Sequence, residues 1–106
     1  MRGYYFITDE ALTAAGVLDD VRRAVAAGAE IIQYRNKTAD TRQLYEEARL
    51  IRELCAGTRS RLIINDRIDI ALAVGADGVH IGQEDMPYAE TRRLLGRDAI
   101  IGVTVH

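Results

Sequence analysis

Polar side chains follow three short apolar runs of this chain, and their types suit the binding of a phosphorylated ligand. Asn65 and Asp66 follow one run, Gln33 and Arg35 close a second, and Asp85 follows a third. Apolar runs of this length are typical of buried strands. Because parallel strands bind ligands at their carboxyl ends, we expect these groups to converge at one edge of a sheet.

Two cations and an amide alternate along one of these segments. Gln33, Arg35 and Lys37 share parity on a strand or its extension, so their side chains leave the same face at intervals of about 7 Å. A guanidinium grips phosphate oxygens as a fork and an ammonium acts as a mobile point charge, so the pair suits a diphosphate. The alternative is a solvated strand end at which Arg35 pairs with Glu30 or Asp9.

Two carboxylates end what we predict to be adjacent strands. Neighbouring strands lie about 4.8 Å apart, so Asp66 and Asp85 could both reach one hard cation. Carboxylates without a cysteine or histidine pair favour Mg²⁺, which binds through one or two carboxylates plus substrate phosphate. Asn65 could donate to a phosphate oxygen. The alternative is that each aspartate caps the helix that follows it.

Composition limits the class of protein. The 106 residues are 48% hydrophobic and 28% charged, which predicts one soluble domain, spanning residues 1–106. A net charge of −2 argues against binding of nucleic acid or of an anionic membrane surface. No apolar run approaches the roughly 20 residues of a membrane span, and no signal-peptide pattern precedes Tyr4, so we expect a cytoplasmic protein. The single cysteine, Cys55, is expected in the core, and His80 inside a strand as a hydrogen-bonded wall residue.

Hydrophobic periodicity predicts strands and helices in strict alternation, βαβαβαβαβ. The predicted strands are Tyr4–Thr8, Glu30–Tyr34, Arg61–Arg67 with its polar groups at the C-terminal tip, Gly78–Ile81 and Ala99–Val103. The first helix is predicted at Val17–Ala27, and the second starts after a cap at Asp40 or Thr41 and ends at Gly57. The third helix runs through Ile70 to Gly75. The fourth runs from Pro87 to Gly96, with Tyr88, Thr91 and Leu95 on its inward face. Alternation of this kind implies a parallel sheet with right-handed crossovers.

Two α/β architectures fit this order. One is an open doubly wound sheet of five strands, and the other is the first five strands and four helices of a TIM (βα)₈ barrel. Polar groups end every predicted strand, including Thr104 and His106 after the fifth, and a barrel mouth explains this better than a single switch point. Because a barrel needs about 200 residues or more, we expect a partial barrel that is a fragment or is completed by a partner.

Five sequence blocks resemble thiamine-phosphate synthases in order and spacing, over essentially the whole chain. The blocks are Tyr5–Asp9, Gln33–Lys37, Ile63–Ala71, Ala76–Pro87 and Ile101–His106. The resemblance implies a (βα)₈ barrel that transfers the hydroxymethylpyrimidine group from its diphosphate to a thiazole phosphate, with Mg²⁺, in thiamine biosynthesis. It also implies that the site for thiazole phosphate lies on later strands, beyond His106.

The resemblance further implies a role for each polar residue. It assigns the aminopyrimidine contact to Gln33, the diphosphate contacts to Arg35, Lys37, Asn65 and Thr104, and Mg²⁺ to Asp66 and Asp85. Thr104 stands where the family commonly has serine in a Gly-Val-Ser-x-His block, and either hydroxyl suits diphosphate. The mechanism that the resemblance implies requires no general base, because the thiazole nitrogen would attack a pyrimidine methylene cation left by the departing diphosphate.

Two other functions remain open. The related thiazole tautomerases share the fold but typically lack the acidic residue in the fourth-strand block, whereas this chain keeps Asp85 as well as Asp66. A non-catalytic half-barrel that binds a phosphorylated ligand or a partner is the second. Open edges on the first and fifth strands would predict self-association or a missing C-terminal half.

Overall fold

A computed structural model of the protein describes residues 4–9 and 11–104, and it contains a five-stranded parallel sheet and four helices. The strands are β1 (Tyr5–Ile7), β2 (Ile31–Tyr34), β3 (Arg61–Asn65), β4 (Gly78–Ile81) and β5 (Ile100–Val103). The helices are α1 (Ala14–Ala26), α2 (Thr41–Cys55), α3 (Ile68–Val74) and α4 (Tyr88–Leu95). The predicted alternation is therefore confirmed, whereas His106, expected at the end of β5, lies outside the described residues.

The order of the strands separates the two architectures. The sheet runs β1-β2-β3-β4-β5, and every neighbouring pair is parallel. A doubly wound sheet reverses its order at a switch point, and this sheet has no such reversal between β1 and β5. Each helix also contacts the next one along the chain. The structure is the β1 to β5 part of a barrel, and the doubly wound alternative is wrong.

The core lies between the sheet and its helices. Alternate strand residues point at the helices, and Ile32, Leu62 and Val79 are each 0% exposed there. Val21 of α1 and Ile51 of α2 meet them and are equally buried. Because strand side chains alternate in direction, the residues between these buried positions point to the opposite face, where the polar groups are found.

The glycine that ends a helix before a strand occurs twice with the same geometry. Gly28 and Gly75 both adopt the left-handed conformation, with φ of 85° and 71°. In each case the next residue donates its N–H to the carbonyl five positions earlier, Ala29 to Ala24 and Ala76 to Ala71, both at 3.0 Å. Only glycine adopts this conformation without strain. The internal repeat seen in the sequence therefore reflects two equivalent helix-to-strand turns.

Two local expectations were wrong. Helix α1 begins at Ala14 rather than Val17, because Thr13 caps it by accepting a hydrogen bond of 3.2 Å from the N–H of Gly16. Tyr88, expected inward, is 49% exposed. Its ring lies 5.5 Å from the guanidinium carbon of Arg92, and this cation–π contact is made at the surface of α4.

The outer strands of the sheet have one hydrogen-bonded neighbour each among the described strands. Strand β1 pairs with β2, and β5 pairs with β4. Tyr5 and Ile7 on β1 are both 56% exposed, and Val103 on β5 is 44% exposed. Within residues 4–9 and 11–104, no helix has the length and apolar character required to cross a membrane.

The thiol of Cys55 is expected to be unreactive in the folded protein. Burial, followed by the charge of Asp77, raises the pKa of Cys55 to about 11, and the residue is 3% exposed. Since the thiolate is the reactive form, a thiol reagent at neutral pH should label the chain only as fast as the fold opens, and added urea should accelerate labelling to the rate of a free thiol. Cys55 is the only cysteine, so the signal is unambiguous. Equally fast labelling without urea would contradict this burial.

Candidate active site

A cleft of about 520 Å³ lies at the carboxyl ends of the strands, on the face of the sheet opposite the helices. Its walls contain all seven residues that the sequence singled out: Gln33, Arg35, Lys37, Asn65, Asp66, Asp85 and Thr104. They come from β2, β3, β4 and β5 or the loops that follow these strands. The expected convergence at one edge of the sheet is therefore observed, although the part each residue plays in binding is not tested by this placement.

The end of β2 is held by Thr8, a residue directly after β1 that sequence reasoning did not single out. Thr8 is 7% exposed, and its hydroxyl accepts a hydrogen bond of 3.0 Å from the N–H of Arg35 and lies 3.3 Å from the carbonyl oxygen of the same residue. Arg35 is exposed, and among residues 4–9 and 11–104 it makes no ion pair with Glu30 or Asp9, so the expected pairing is wrong. Thr8 thus fixes the backbone from which Arg35 reaches the cleft.

Tyr34, which lies between Gln33 and Arg35 along the chain, points away from the cleft and towards helix α2. The hydroxyl of Tyr34 donates a hydrogen bond of 2.6 Å to Glu47 of α2, and the side chain is 2% exposed. Burial, together with the hydrogen bond to the Glu47 carboxylate, raises the pKa of Tyr34 well above its ordinary value. This bond ties β2 to α2, so Gln33 and Arg35 on either side of Tyr34 are presented from a fixed strand.

Lys37 lies in an ordered turn between β2 and α2. The side-chain oxygen of Asn36 accepts hydrogen bonds from the N–H groups of Thr38 and Ala39, both at 3.0 Å. Asp40 then forms a capping box with Gln43, as the sequence predicted for one of the two candidate caps. The turn is therefore specified on both sides of Lys37, whose ammonium group pairs with the carboxylate of Asp66.

Asp66 has an unusual backbone conformation. Its φ is 68°, the only positive value among the described residues other than glycine, and aspartate is one of the few residues that adopt this region. Its N–H donates a hydrogen bond of 2.8 Å to the carbonyl of His80, which locks the end of β3 against β4. Helix α3 is capped at Arg67 without a side-chain hydrogen bond, so the alternative role of Asp66 as a helix cap is wrong.

Asp85 also has no role as a helix cap. One oxygen of its carboxylate accepts a hydrogen bond of 2.7 Å from the N–H of Gly82, which closes the turn after β4. Helix α4 is capped at Pro87 with no side-chain hydrogen bond. The hydrogen bond from Gly82 to one carboxylate oxygen therefore fixes the side chain of Asp85 at the edge of the cleft.

The donors in the cleft fit one class of metal site. Among the described residues, no group of three or more histidine, cysteine, aspartate or glutamate side chains is arranged to hold a metal ion. Asp66 and Asp85 nevertheless line the same cleft. Mg²⁺ is commonly bound by one or two carboxylates together with substrate phosphates and water. The two aspartates therefore fit Mg²⁺ that binds together with a phosphorylated ligand, rather than a site made by protein ligands alone.

His80 and Thr104 form a hydrogen-bonded pair on the β4 and β5 side of the cleft. The Nε2 atom of His80 makes a short contact with the Thr104 hydroxyl. A Cβ atom on Gly102 would lie 2.6 Å from Nδ1 of the same ring, so the glycine leaves room for the imidazole. His80 is the hydrogen-bonded wall residue that was expected, but neither its partner nor the importance of Gly102 was visible in the sequence.

The cleft as a whole can bind an anion. Arg35 and Lys37 supply positive charge, Asn65 an amide N–H and Thr104 a hydroxyl, while the two carboxylates offer a place for a metal ion that would balance further negative charge. Gln83 and Glu84 also line it. The two cations and the neutral donors surround the place of an anion, so the arrangement favours electrostatic stabilisation of a leaving group.

Comparison with known proteins gives one consistent result. The model of a family described as thiamine monophosphate synthase matches residues 4–106. A thiamine-phosphate synthase of Methanosarcina barkeri is 52% identical over 103 residues, which cover 97% of this chain and 46% of that protein. One of Agrobacterium fabrum is 50% identical over 100 residues, covering 93% and 46%. The structure of a thiamine phosphate pyrophosphorylase from Pyrococcus furiosus superposes with a TM-score of 0.84 at 40% identity, covering 95% of this chain and 48% of that one.

The matches share one further property. This chain spans about half the length of the curated relatives it matches, and about half of the solved structure. The half that it spans contains the strands β1 to β5 and the cleft at their carboxyl ends.

Proposed function

This chain belongs to the thiamine monophosphate synthase family, and on that premise we propose that it binds a pyrimidine diphosphate with Mg²⁺ and supports transfer of the pyrimidinylmethyl group to a thiazole phosphate. It then provides the diphosphate and metal part of a thiamine-phosphate synthase site. Its partners are these small molecules, and the reaction takes place in the cytoplasm. The unpaired thiol of Cys55 is compatible with that compartment.

One observation carries the proposal. The seven residues that the resemblance assigns to substrate and metal lie on strands or on the loops that follow them, and all seven line a single cleft. The charges have the right sign, because a diphosphate needs several donors and cations around it. Retention of both Asp66 and Asp85 supports the synthase over the tautomerase, since diphosphate is the ligand that calls for a metal ion at two carboxylates.

The proposed reaction breaks one bond and forms one bond. The C–O bond between the pyrimidine methylene and the diphosphate breaks, and the electron pair leaves with the diphosphate oxygen. The thiazole nitrogen supplies the electron pair of the new C–N bond. Arg35, Lys37 and Asn65 stabilise the charge that develops on the diphosphate, and such a preorganised donor can be worth about 3 kcal/mol in the transition state.

The other residues orient the reactants. Gln33 lies within β2, further from the loops than Arg35. In the proposed complex its amide would meet the aminopyrimidine, and Arg35 and Lys37 would follow the diphosphate outward. When bound at Asp66 and Asp85, Mg²⁺ would supply additional neutralisation of the leaving group. Thr8 and Tyr34 act only through the backbone, by holding β2 in place.

Replacement of Arg35 tests the diphosphate site. We expect Arg35→Ala to weaken the binding of inorganic diphosphate, in the presence of Mg²⁺, by about tenfold or more, because a hydrogen bond to a charged group contributes about 1.5–3 kcal/mol. Isothermal titration calorimetry on this chain measures the change directly. Binding of orthophosphate, which lacks the second phosphoryl group, should lose less affinity because it makes fewer contacts.

Arg61→Ala is the matched control for this experiment. Arg61 is an exposed arginine at the opposite end of β3 and lines a different cavity, so its removal changes the net charge equally without touching the cleft. Its dissociation constant for diphosphate should stay within about twofold of the original value. Equal losses in the two variants would mean that diphosphate is held by overall charge and would contradict the proposed site.

A further inference from the structure

His80 occupies a central place on the inner side of the sheet. In the register of the strands its neighbours are Asn65 on β3 and Gly102 on β5. It therefore lies beside one residue proposed to contact diphosphate, and its ring reaches a second, Thr104, through the Nε2 atom. The reaction proposed above assigns no role to the imidazole of His80.

The direction of the hydrogen bond decides what Thr104 can do. A hydroxyl has one hydrogen to donate and two lone pairs to accept with. If Nε2 accepted the threonine hydrogen, the hydroxyl would present only lone pairs to the cleft and would repel a phosphate oxygen. If Nε2–H donates instead, the threonine hydrogen remains available for an anion.

We propose that His80 is a positioning residue that donates Nε2–H to the Thr104 hydroxyl and thereby directs the threonine hydrogen at a phosphate oxygen bound in the cleft. This inference rests on the proposed function and adds to it a residue that acts through Thr104. It also gives the neutral ring a defined tautomer, protonated at Nε2 and bare at Nδ1.

Gly102 is the structural condition for this arrangement. A side chain at this position would start 2.6 Å from Nδ1 and 3.4 Å from Cε1 of the His80 ring, so any residue with a Cβ would push the imidazole away from its place. The ring is the end of a rotatable side chain, so it can turn without disrupting the sheet. Gly102→Ala should therefore break the contact with Thr104 while leaving both residues chemically intact.

The tautomer can be read directly in the free protein. The sequence contains two histidines, so long-range ¹H–¹⁵N NMR spectra at alkaline pH, with His106→Gln as the assignment control, isolate the signal of His80. We expect a protonated Nε2 and a bare Nδ1, and in Gly102→Ala or Thr104→Val the mixed tautomers of a ring without this partner. A bare Nε2 in the unmodified chain would overturn the proposal.

Diphosphate binding tests the consequence. Calorimetry with inorganic diphosphate and Mg²⁺ should show about a tenfold loss for Thr104→Val and a similar loss for His80→Leu. Thr104→Ser should stay near the original affinity. His80→Gln, whose amide can donate from a similar position, should retain affinity within about threefold. The double variant His80→Leu with Thr104→Val should be no worse than either single variant, because both remove the same hydrogen bond.

The outcomes separate this inference from the function on which it rests. Additive losses in the double variant, or unchanged binding by His80→Leu, would overturn the role of His80 while diphosphate binding by the original chain still stood. Failure of the original chain to bind diphosphate would overturn the proposed function and the purpose given to His80 together. Protection of the Cys55 thiol in each variant verifies that a loss of affinity does not come from unfolding.

Discussion

Replacing Asp66 and Asp85 together by asparagine is expected to abolish the Mg²⁺ dependence of diphosphate binding. In the original chain we expect Mg²⁺ to tighten binding by about tenfold or more, since charge-assisted contacts of this type contribute about 1.5–3 kcal/mol. In the double variant, affinities with Mg²⁺ and with a chelator should be equal. The carboxylates that line the cleft would then be the ligands, as their donor type predicts.

The affinity measured without Mg²⁺ gives a second and opposite signature. Both substitutions remove negative charge beside the place where an anion binds, and the neutral amide that replaces the Asp66 carboxylate would no longer hold the ammonium group of Lys37 in an ion pair. Binding of metal-free diphosphate should therefore become tighter in the double variant. A variant that had merely lost its structure would lose affinity under both conditions.

Asparagine is the substitution that the backbone of Asp66 permits. Its φ of 68° lies in the left-handed region, which asparagine and aspartate tolerate and which other side chains adopt only at a cost of about 1–2 kcal/mol. Asp69→Asn is the matched control, because this carboxylate is close in sequence but pairs with Arg67 at 2.8 Å. Its variant should keep the Mg²⁺ effect. Loss of the effect in Asp69→Asn, or its survival in the double variant, would contradict the metal assignment.

The second large effect is expected from Gly78→Ala, which should lower the free energy of unfolding by about 3 kcal/mol or more. A Cβ at position 78 would lie 1.8 Å from the carbonyl oxygen of Ile100 and 2.6 Å from its carbonyl carbon. Both atoms belong to the backbone of β5, which cannot move aside without losing its hydrogen bonds to β4. Urea denaturation followed by circular dichroism measures the loss.

Gly57→Ala is the control for this substitution. Gly57 has a φ of 75°, and a Cβ there would meet no atom within 4 Å, so the cost should be only the backbone strain of about 1 kcal/mol. A loss in Gly78→Ala no larger than in Gly57→Ala would contradict the close approach of β4 and β5. Because β5 leads to Thr104, Gly78→Ala should also weaken diphosphate binding under conditions in which the chain remains folded.

Hydrophobic periodicity was sufficient to predict the helices and strands, but it did not predict every residue at which they begin or end. The apolar positions of α2 and the glycines after α1 and α3 predicted these elements because burial and left-handed turns leave local signals. The start of α1 was missed because the cap at Thr13 precedes the first buried residue, Val17. The outward direction of Tyr88 was missed because its partner Arg92 lies on the same helix surface, where periodicity alone favours burial of an aromatic ring.

The sequence predicted which residues line the cleft wherever their position follows from the carboxyl end of a strand. Parallel strands place their carboxyl ends together, so the parity of Gln33 and Arg35 and the positions of Asp66 and Asp85 sufficed to bring them to one edge. The supporting contacts were not predictable. The hydroxyl of Thr8 on Arg35 and the space that Gly102 leaves for His80 depend on the register between strands, which no single segment encodes.

The strand order has a consequence for the way the chain is made. Each strand from β2 to β5 pairs with the strand immediately before it in the sequence. When a strand leaves the ribosome, its pairing partner has therefore already been synthesised. No strand from β2 to β5 has to wait for a distant partner, and the contacts remain short in sequence, which favours rapid folding. The same order means that the newest strand is always the exposed edge. During synthesis the sheet therefore grows from β1 towards β5. Each new strand adds its own residues to the cleft as soon as it pairs.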